Sequence, residues 1–335
     1  MKIHNQICLF ASVFMLICPI ANAQDYLNLD FFTRVEYNYV SGTDGAGGET
    51  SGFRGRHIFL RGSGDLGYGF TYSIAHRLNN INSQPKYFDS TDWSWLRYTT
   101  PNGNWAFTAG KIVMETGSFE WDANPIYVSV FTPSFNFVNP YQIGVSVARN
   151  LGDSDCFSFI CTRSMYDTET DNSLSYSLEW RATHGPWQSL YVAQFIEEPA
   201  YGGFLQLGLG NIFTFGPVDL NIDLMTRTSP YYSSSWRYLD ATLSMKLEYN
   251  VTDRLTLFTK GSYERNDNET LFDPMVPSGT ATGLIALGLD YYPLASRNIK
   301  LFAFGVHSDG YFGELLNRYN RACFGLLWKI RMISL

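Results

Sequence analysis

The sequence is poor in charge and in long apolar runs, and each scarcity excludes a class of protein. Only 16% of the 335 residues are charged, and the 24 Lys and Arg are outnumbered by 31 Asp and Glu. Because no basic cluster marks a face that tracks phosphates, a nucleic-acid-binding protein is excluded. Apart from the N-terminal segment, no run reaches the ~18 uninterrupted apolar residues that a membrane-spanning helix needs, so a helical membrane protein is excluded too.

Cysteine is also scarce, with five in the chain, of which Cys8 and Cys18 lie in the N-terminal segment. The odd number that remains excludes a scaffold of disulfides. Cys156 and Cys161 have neither the spacing nor the neighbouring His or Cys residues of a zinc site, so we expect no metal. In a regular strand their odd separation places the two side chains on opposite faces, so we expect no bridge, although an oxidising compartment would allow one.

The N-terminus has the pattern of an export signal. An apolar run over residues 7–20 is followed by Ala21-Asn22-Ala23, which supplies the two small residues that a signal peptidase requires. We therefore predict a signal peptide over residues 1–23, cleaved after Ala23, and one exported domain over residues 24–335. Lipidation at Cys18 is the alternative, and the bulky side chain before that cysteine disfavours it.

Apolar and polar residues alternate with a period of two from the start of the exported chain. Over residues 27–39, odd positions such as Leu29 and Val35 are mostly apolar, and even positions such as Arg34 and Glu36 are mostly polar. The pattern predicts a strand of about thirteen residues, whereas ordinary strands have about five or six. A soluble sandwich would alternate as well, but export, strand length and aromatic strand ends together favour strands that cross an outer membrane.

Connections alternate between short and long, as in a barrel with tight periplasmic turns and longer outer loops. Long connections are predicted over residues 41–52, 79–92, 113–140, 164–172, 226–235, 266–279 and 308–320. The count of strands between them predicts an all-β fold, a transmembrane antiparallel up-and-down β-barrel of about 16 strands that occupies residues 24–335 as a single outer-membrane domain.

The third outer loop is the longest connection and is rich in aromatic residues, among them Phe119 and Phe131. Aromatic side chains in this number need a surface to pack against, so an exposed loop is the less favoured interpretation. We predict that the loop folds into the lumen and narrows an otherwise open channel. The candidate constriction residues are Glu115, Glu120, Trp121 and Asp122.

The alternation also predicts which basic side chains face the lumen, namely Arg34, Arg77, Arg181, Lys246, Lys260, Lys329 and Arg331. Rings of Arg or Lys in a pore favour anions. The competing interpretation is purely structural, because Arg34 with Glu36, or Lys246 with Glu248, can form ion pairs across the wall without any ligand.

No catalytic set stands out in the sequence. The histidines beyond the signal segment are dispersed, and none accompanies a Gly-x-Ser-x-Gly nucleophile motif. We therefore expect no enzyme and no cofactor. Two alternatives remain open. One is an outer-membrane acyl hydrolase whose His76 shares the lipid-facing parity of Ile74. The other is a surface-binding barrel that does not conduct.

Several short motifs point to a known family. They are the basic and aliphatic run over residues 53–62, the strand end Gly110-Lys111, the loop segment over residues 117–122 and the strand start over residues 141–146. With these motifs, residues 25–150 resemble the phosphate-selective porin O and P family. The resemblance implies a sixteen-stranded trimeric porin for ion transport, whose third loop and basic residues conduct anions, with phosphate as the solute of its best-known members.

On this resemblance, Arg54, Arg56, Arg61 and Lys111 occupy the basic positions of the family. A regular strand directs only one of Arg56 and Arg61 inward, so both line the pore only if a bulge intervenes. The expected function is passive diffusion of small polar or anionic solutes, phosphate among the candidates, through a porin embedded in outer-membrane lipid. Trimerisation is implied by the resemblance alone.

Overall fold

The computed structural model describes residues 27–44, 50–79, 90–137, 139–166, 172–198, 203–228, 240–267 and 275–334. Over these residues the chain forms a closed barrel of sixteen antiparallel strands, which confirms the predicted fold. The predicted signal peptide lies outside the described residues. Among the described helices, none is long and apolar enough to cross a membrane.

The strands follow the chain in order around the barrel. They are β1 (Asn28–Asp44), β2 (Thr50–Gly67), β3 (Phe70–Arg77), β4 (Thr91–Thr99), β5 (Trp105–Val113), β6 (Tyr141–Leu151), β7 (Asp155–Arg163), β8 (Leu174–His184), β9 (Trp187–Ile196), β10 (Phe204–Phe215), β11 (Val218–Thr228), β12 (Asp240–Thr252), β13 (Leu255–Asn266), β14 (Ala281–Tyr291), β15 (Ile299–Phe312) and β16 (Leu315–Ser334). Between β5 and β6 lie a short helix, α1 (Phe119–Asp122), and a 3-10 helix (Pro133–Phe137).

The first and last strands close the barrel. Asn28 pairs with Ser334 at one end of the β1–β16 ladder, and Asp44 pairs with Asn317 at the other. Closure gives every strand two hydrogen-bonded neighbours, which a spanning sheet requires because hydrocarbon offers no partner to backbone N–H and C=O groups.

The alternation of the sequence becomes an alternation of faces. On β12, Leu243, Met245 and Leu247 are exposed on the outer face, whereas Thr242 and Ser244 are buried on the inner face. Paired residues of neighbouring strands share a face, so the apolar set forms one continuous outer band and the polar set lines the lumen.

A bulge in β2 decides where its basic residues point. Arg34 pairs with His57 and Val35 pairs with Gly55, so Arg56 is the extra residue. Beyond the bulge the inward parity passes to odd positions, and Arg61 pairs with the inward Asp30. Both Arg56 and Arg61 therefore face the lumen, because a bulge separates them along the strand.

The last connection differs from the prediction. A long loop was expected over residues 308–320, but β15 and β16 continue past this point and meet at a tight turn after Phe312. Gly313 has a φ of +61°, which permits the sharp reversal. Polar residues such as Asp309 and Arg318 lie on the exposed ends of these strands, where they form an ion pair at 2.6 Å. The polar pattern that predicted a loop over residues 308–320 belongs to strand ends that are exposed to water.

The expected absence of a bridge between Cys156 and Cys161 is confirmed, because both cysteines are free. They lie on β7, where Cys156 pairs with Arg181 of the lumen face and Cys161 pairs with Tyr176. Their odd separation along a regular strand directs the two thiols to opposite sides of the wall.

Candidate constriction site

Residues 114–137, called loop 3 below, cross the lumen, and residues 126–128 contact the wall at β1 and β15. Arg34 of β1 donates from Nη1 to the carbonyl oxygens of Ile126, at 3.2 Å, and Val128, at 2.7 Å. Lys300 of β15 donates from Nζ to the carbonyl oxygen of Tyr127 at 3.3 Å. Since these donors point inward from strands far from β5, the prediction that the third outer loop folds into the lumen is confirmed.

The first turn of loop 3 is capped by a hydroxyl that also binds the wall. Ser118 precedes α1, and its Oγ accepts a hydrogen bond from the N–H of Glu120 at 3.2 Å. The same hydroxyl donates to Oδ2 of Asp223 on β11 at 2.7 Å. A single side chain thus begins the helix and fixes it to the barrel.

Glu120 is the central anchor of loop 3. Its Oε2 lies 2.8 Å from Nζ of Lys260 on β13, and both side chains are nearly inaccessible to water. The N–H of Thr132 donates to Oε1 of Glu120 at 2.7 Å, which connects the two halves of the loop. Lys260 also donates to the carbonyl oxygen of Val130 at 2.9 Å. A buried carboxylate needs this number of partners to offset its loss of hydration.

Two glycines allow loop 3 to lie directly on the wall. Gly117 contacts Gly208 of β10, and a Cβ at Gly208 would lie 2.7 Å from the Cα of Gly117 and would overlap the carbonyl oxygen of Thr116. Gln206 donates from Nε2 to that same carbonyl oxygen at 3.2 Å. The approach is possible only where neither residue carries a side chain.

The aromatic residues of loop 3 pack against each other, as their number in the sequence suggested. Trp121 is buried, with its ring centroid 4.7 Å from that of Phe135. The rings of Phe131 and Phe135 stack at 4.2 Å. Ile126 is fully buried in an apolar cluster that includes Phe302 and Phe304 of β15. This packing makes loop 3 a folded inner layer and not a mobile plug of polar chain.

One side of loop 3 carries clustered carboxylates around a single arginine. Arg181 of β8 binds both oxygens of Asp122, at 2.9 and 3.1 Å, and lies 3.6 Å from Glu115 and 3.4 Å from Glu179. Burial, together with the neighbouring charges of Glu179 and Asp122, raises the pKa of Glu115 well above its ordinary value. The raised pKa favours retention of a proton on Glu115.

The other side carries the opposite imbalance. Glu36 of β1 is the common partner of Arg34 at 2.9 Å, Arg56 at 3.3 Å and Arg321 at 3.3 Å. Arg56 also lies over the ring of Phe131 of loop 3, with its Cζ 5.6 Å from the ring centroid. Three guanidinium groups around one carboxylate leave a net positive charge where the loop meets the wall.

In most ion pairs that line the lumen, the cation is the more exposed partner. Arg56 is 27% exposed and its partner Glu36 is 1% exposed. The corresponding side-chain exposures are 23% and 4% for Arg77 and Asp92, and 28% and 10% for Lys329 and Asp30. Lys300 with Asp290, and Lys260 with Glu120, show the reverse order because loop 3 covers both ammonium groups. In the pairs of Arg56, Arg77 and Lys329 the basic group is therefore the more accessible partner, whereas Asp122 and Glu248 are as exposed as the basic groups they pair with.

The remaining predicted residues have mixed positions. Lys246 forms the expected ion pair with Glu248 at 2.9 Å. Arg61 lies over the ring of Trp93, with 5.6 Å between Cζ and the centroid. Lys111 is buried, and its ladder partners are Ser94 and Ile143, so it does not share the inward parity of the other bases.

Two basic residues of the site were not identified from the sequence, Lys300 and Arg321. Arg321 directly follows residues 308–320, which were predicted as a loop, and it was not assigned to a strand. Lys300 lies on the same face of β15 as Phe302 and Phe304. In the sequence, these two aromatic residues resemble a face that contacts lipid, but in the structure they point into the lumen. Only the packing of Ile126 beside these rings reveals which side they face.

His76 is the residue on which the hydrolase alternative depends. It pairs with Leu60 of β2, its side chain is buried, and its Nδ1 lies 3.0 Å from Oγ1 of Thr91. Within the described part of the chain, no group of His, Cys, Asp and Glu residues has the arrangement of a metal site.

Comparison with known proteins agrees with this architecture. Residues 28–153 match the family model described as phosphate-selective porin O and P. A search by sequence among curated proteins finds no match.

Among solved structures, the chain is similar to an anion-selective porin from Comamonas acidovorans, with 13% identity, 92% of this chain and 100% of that chain covered, and a TM-score of 0.69. It is also similar to the outer-membrane channel DcaP of Acinetobacter baumannii, with 12% identity, 92% and 99% covered, and a TM-score of 0.65. A trimer form of OmpT from Vibrio cholerae has 12% identity, 92% and 100% covered, and a TM-score of 0.61. At these identities the similarity shows a common fold.

The resemblance predicted from the motifs is thereby confirmed: from β1 to the turn after β6, residues 28–153 match the phosphate-selective porin O and P family, and the barrel as a whole has the fold of the porins.

Proposed function

We propose that the protein is an outer-membrane porin through which small polar and anionic solutes diffuse passively. The family match and the closed sixteen-stranded barrel support a channel. A barrel of this size leaves an aqueous path unless it is filled, and loop 3 narrows that path. Passive diffusion along it would need neither an energy source nor a cofactor. Loop 3 and the basic residues opposite it form the selectivity region of this proposal.

The observation that carries an anion preference is the order of exposure in the lumen ion pairs. A permeating ion interacts with the groups it passes, and Arg56, Arg77 and Lys329 are more accessible to it than the carboxylates behind them. The net charge of the whole chain, −7, is therefore a poor guide to the field inside the pore. Local charges within about 8 Å dominate at physiological salt.

Phosphate is the solute that the basic side of the constriction suits best. Guanidinium groups bind oxyanions through paired N–H donors. Arg34, Arg56 and Arg321 all share the single carboxylate of Glu36. We therefore propose that phosphate occupies this side transiently during passage. Because the carboxylate of Glu36 remains among these guanidinium groups, phosphate binding stays weak, as passage through a pore requires.

The proposal extends to how the protein reaches and occupies the membrane. The signal peptide would direct export and be cleaved after Ala23, and the outer band of apolar residues would contact lipid. A homotrimer is the assembly we propose, supported by the family resemblance and by the trimer form of OmpT, whose fold this chain shares.

Reversal potentials in planar bilayers test the proposal. Across a salt gradient, we expect the protein to conduct with an anion preference and phosphate to reduce the chloride current. The double variant Arg56→Gln with Arg321→Gln should shift the reversal potential toward zero and abolish the effect of phosphate. Arg318→Gln, at the outer end of β16, is the matched control and should change neither quantity.

Two results would contradict the proposal. Folded protein that does not conduct would exclude a porin and return the choice to a surface-binding barrel or a hydrolase. A wild-type channel with cation preference would keep the porin and exclude the anion-selective role of the arginines.

A further inference from the structure

The outer wall between β5 and β11 has a depression of about 680 Å³ that the channel function does not use. The border of the depression nearest the short turns is a row of residues that lie directly opposite one another on successive strands: Trp105, Arg149, Phe157, Trp180 and Tyr191. The row lies near the end of the barrel with the short turns, which is the periplasmic end. Except for Arg149, it is an aromatic row.

The floor of the depression lies one step further from the turns. There Ala193 of β9 is paired with Leu178 of β8 and Leu207 of β10. Opposite side chains in an antiparallel sheet are about 5 Å apart, so a methyl group between two Leu side chains leaves a channel about as wide as one extended hydrocarbon chain. The Leu178 side chain is 63% exposed and forms one edge.

Arg149 supplies a charge at the mouth of this channel. It is near the end of β6, which finishes at Leu151, and its Cζ lies 4.9 Å from the ring centroid of Trp105. Within the part of the chain that the structure describes, no carboxylate lies within ion-pair distance of Arg149. A guanidinium on a lipid-facing wall extends to the interface, where phosphate groups are its available partners.

Acidic competition near the mouth is limited. Asp155 lies on the same edge of the barrel, at the start of β7. Its carboxylate already accepts hydrogen bonds from Oγ of Ser154 at 2.7 Å and Nε1 of Trp180 at 2.9 Å, and Nε2 of His184 lies 3.3 Å away. These partners satisfy Asp155 and orient the Trp180 ring along the border nearest the short turns.

We propose that this depression is a binding site for one phospholipid of the periplasmic leaflet. The lipid phosphate would bind Arg149, and one acyl chain would lie over Ala193 between Leu178 and Leu207. A phospholipid is the occupant that matches both features, because an apolar channel of single-chain width continues directly into a cationic mouth at headgroup level. The site lies on the outside of the barrel, so it does not depend on whether the pore conducts.

Native mass spectrometry of the full-length protein, purified in detergent and titrated with palmitoyl-oleoyl phosphatidylglycerol, tests this site. We expect one lipid to be retained at low lipid concentration. Arg149→Gln removes the charge and should weaken retention at least about tenfold, since a hydrogen bond to a charged group contributes about that factor. Ala193→Trp fills the channel with its ring and should weaken retention at least as much. Wild-type heat-modifiable mobility on gels in both variants would show that they are folded, whether or not the pore conducts.

Matched controls lie elsewhere on the outer surface. Leu287→Trp places the same ring on the exposed outer face of β14, and Arg254→Gln removes an exposed arginine from the turn at the same end of the barrel. Both controls should retain lipid as the wild type does. Equal retention by all five proteins would overturn the site and indicate unspecific lipid. A change of oligomeric state in Ala193→Trp with unchanged lipid retention would also overturn it, because the depression would then be a subunit contact.

Discussion

Replacing Lys260 by Met removes the charge that holds loop 3 against β13. In the wild type, the Lys260 ammonium and the Glu120 carboxylate are 2.8 Å apart, with exposures of only 4% and 7%. The variant keeps the length of the side chain but leaves Glu120 buried with hydrogen bonds from Thr132 alone. An uncompensated buried charge costs far more than the pair itself contributes.

The expected magnitude follows from that burial. Removing one partner of a buried pair costs about 3–5 kcal/mol. Because about 1.4 kcal/mol is a factor of ten, the ratio of docked to undocked loop should fall by roughly two to three and a half orders of magnitude. Loop 3 would remain part of a folded barrel, since the strand ladders on both sides of it are unaffected.

Single-channel recording and limited proteolysis measure this change. In Lys260→Met we expect a larger, noisier open-channel current and cleavage within residues 114–137 of folded protein. The double variant Lys260→Met with Glu120→Gln removes both charges and should recover much of the wild-type behaviour. Lys246→Met is the control, because its pair with Glu248 is about one-third exposed on each side and contributes at most about 1 kcal/mol.

The reasoning would be refuted by a Lys260→Met channel with wild-type current and wild-type resistance to protease. The same conclusion would follow if Lys246→Met and Lys260→Met had equal effects, since burial would then not matter. A double variant worse than either single variant would show that Lys260 and Glu120 act separately.

Three further predictions follow from the contacts of loop 3 and of β2. Gly208→Ala should displace loop 3 and increase conductance, because its Cβ overlaps Thr116, whereas Gly261→Ala, with open space around it, should change nothing. The raised pKa of Glu115 means that the folded state binds the extra proton, so thermal stability should fall as pH rises from 4.5 through the raised pKa, and Glu115→Gln should remove that slope. A wild-type slope in Glu115→Gln would exclude this carboxyl as its source. Deleting Arg56 removes the bulge without changing the facing of Arg61, so heat-modifiable mobility on gels should persist, whereas deleting Leu60 should abolish folding.

The barrel itself could be predicted because its signal is local. Strand alternation needs only neighbouring residues, and β12 shows it from Asp240 to Tyr249 with no interruption. The inward fold of loop 3 was also predictable, since aromatic residues such as Trp121 and Phe131 require a packing surface. The prediction failed at residues 308–320, because strands that extend beyond the membrane carry charge on both faces and resemble loops.

The site was less accessible to prediction. Lys260 could be assigned to the lumen, but its partner Glu120 could not, since 140 residues of chain separate them and no periodic pattern relates a loop to a distant strand. The orientation of Arg56 depends on a bulge that alternation cannot specify. Lys300 was identified only through its contact with loop 3, and Arg321 was missed because the residues directly before it were predicted as a loop.

The sequence by itself determined the fold, the membrane-facing band and the pool of lumen charges, because a side-chain period of two is imposed by the backbone of each strand. The tertiary structure alone decided which of those charges neutralise each other and which remain exposed to a solute. That outcome depends on where loop 3 lies and on which carboxylates it covers. The carboxylates of Glu36 and Glu120 are buried by contacts between distant segments, and the burial of Glu36 leaves Arg56 and Arg321 as its more exposed partners.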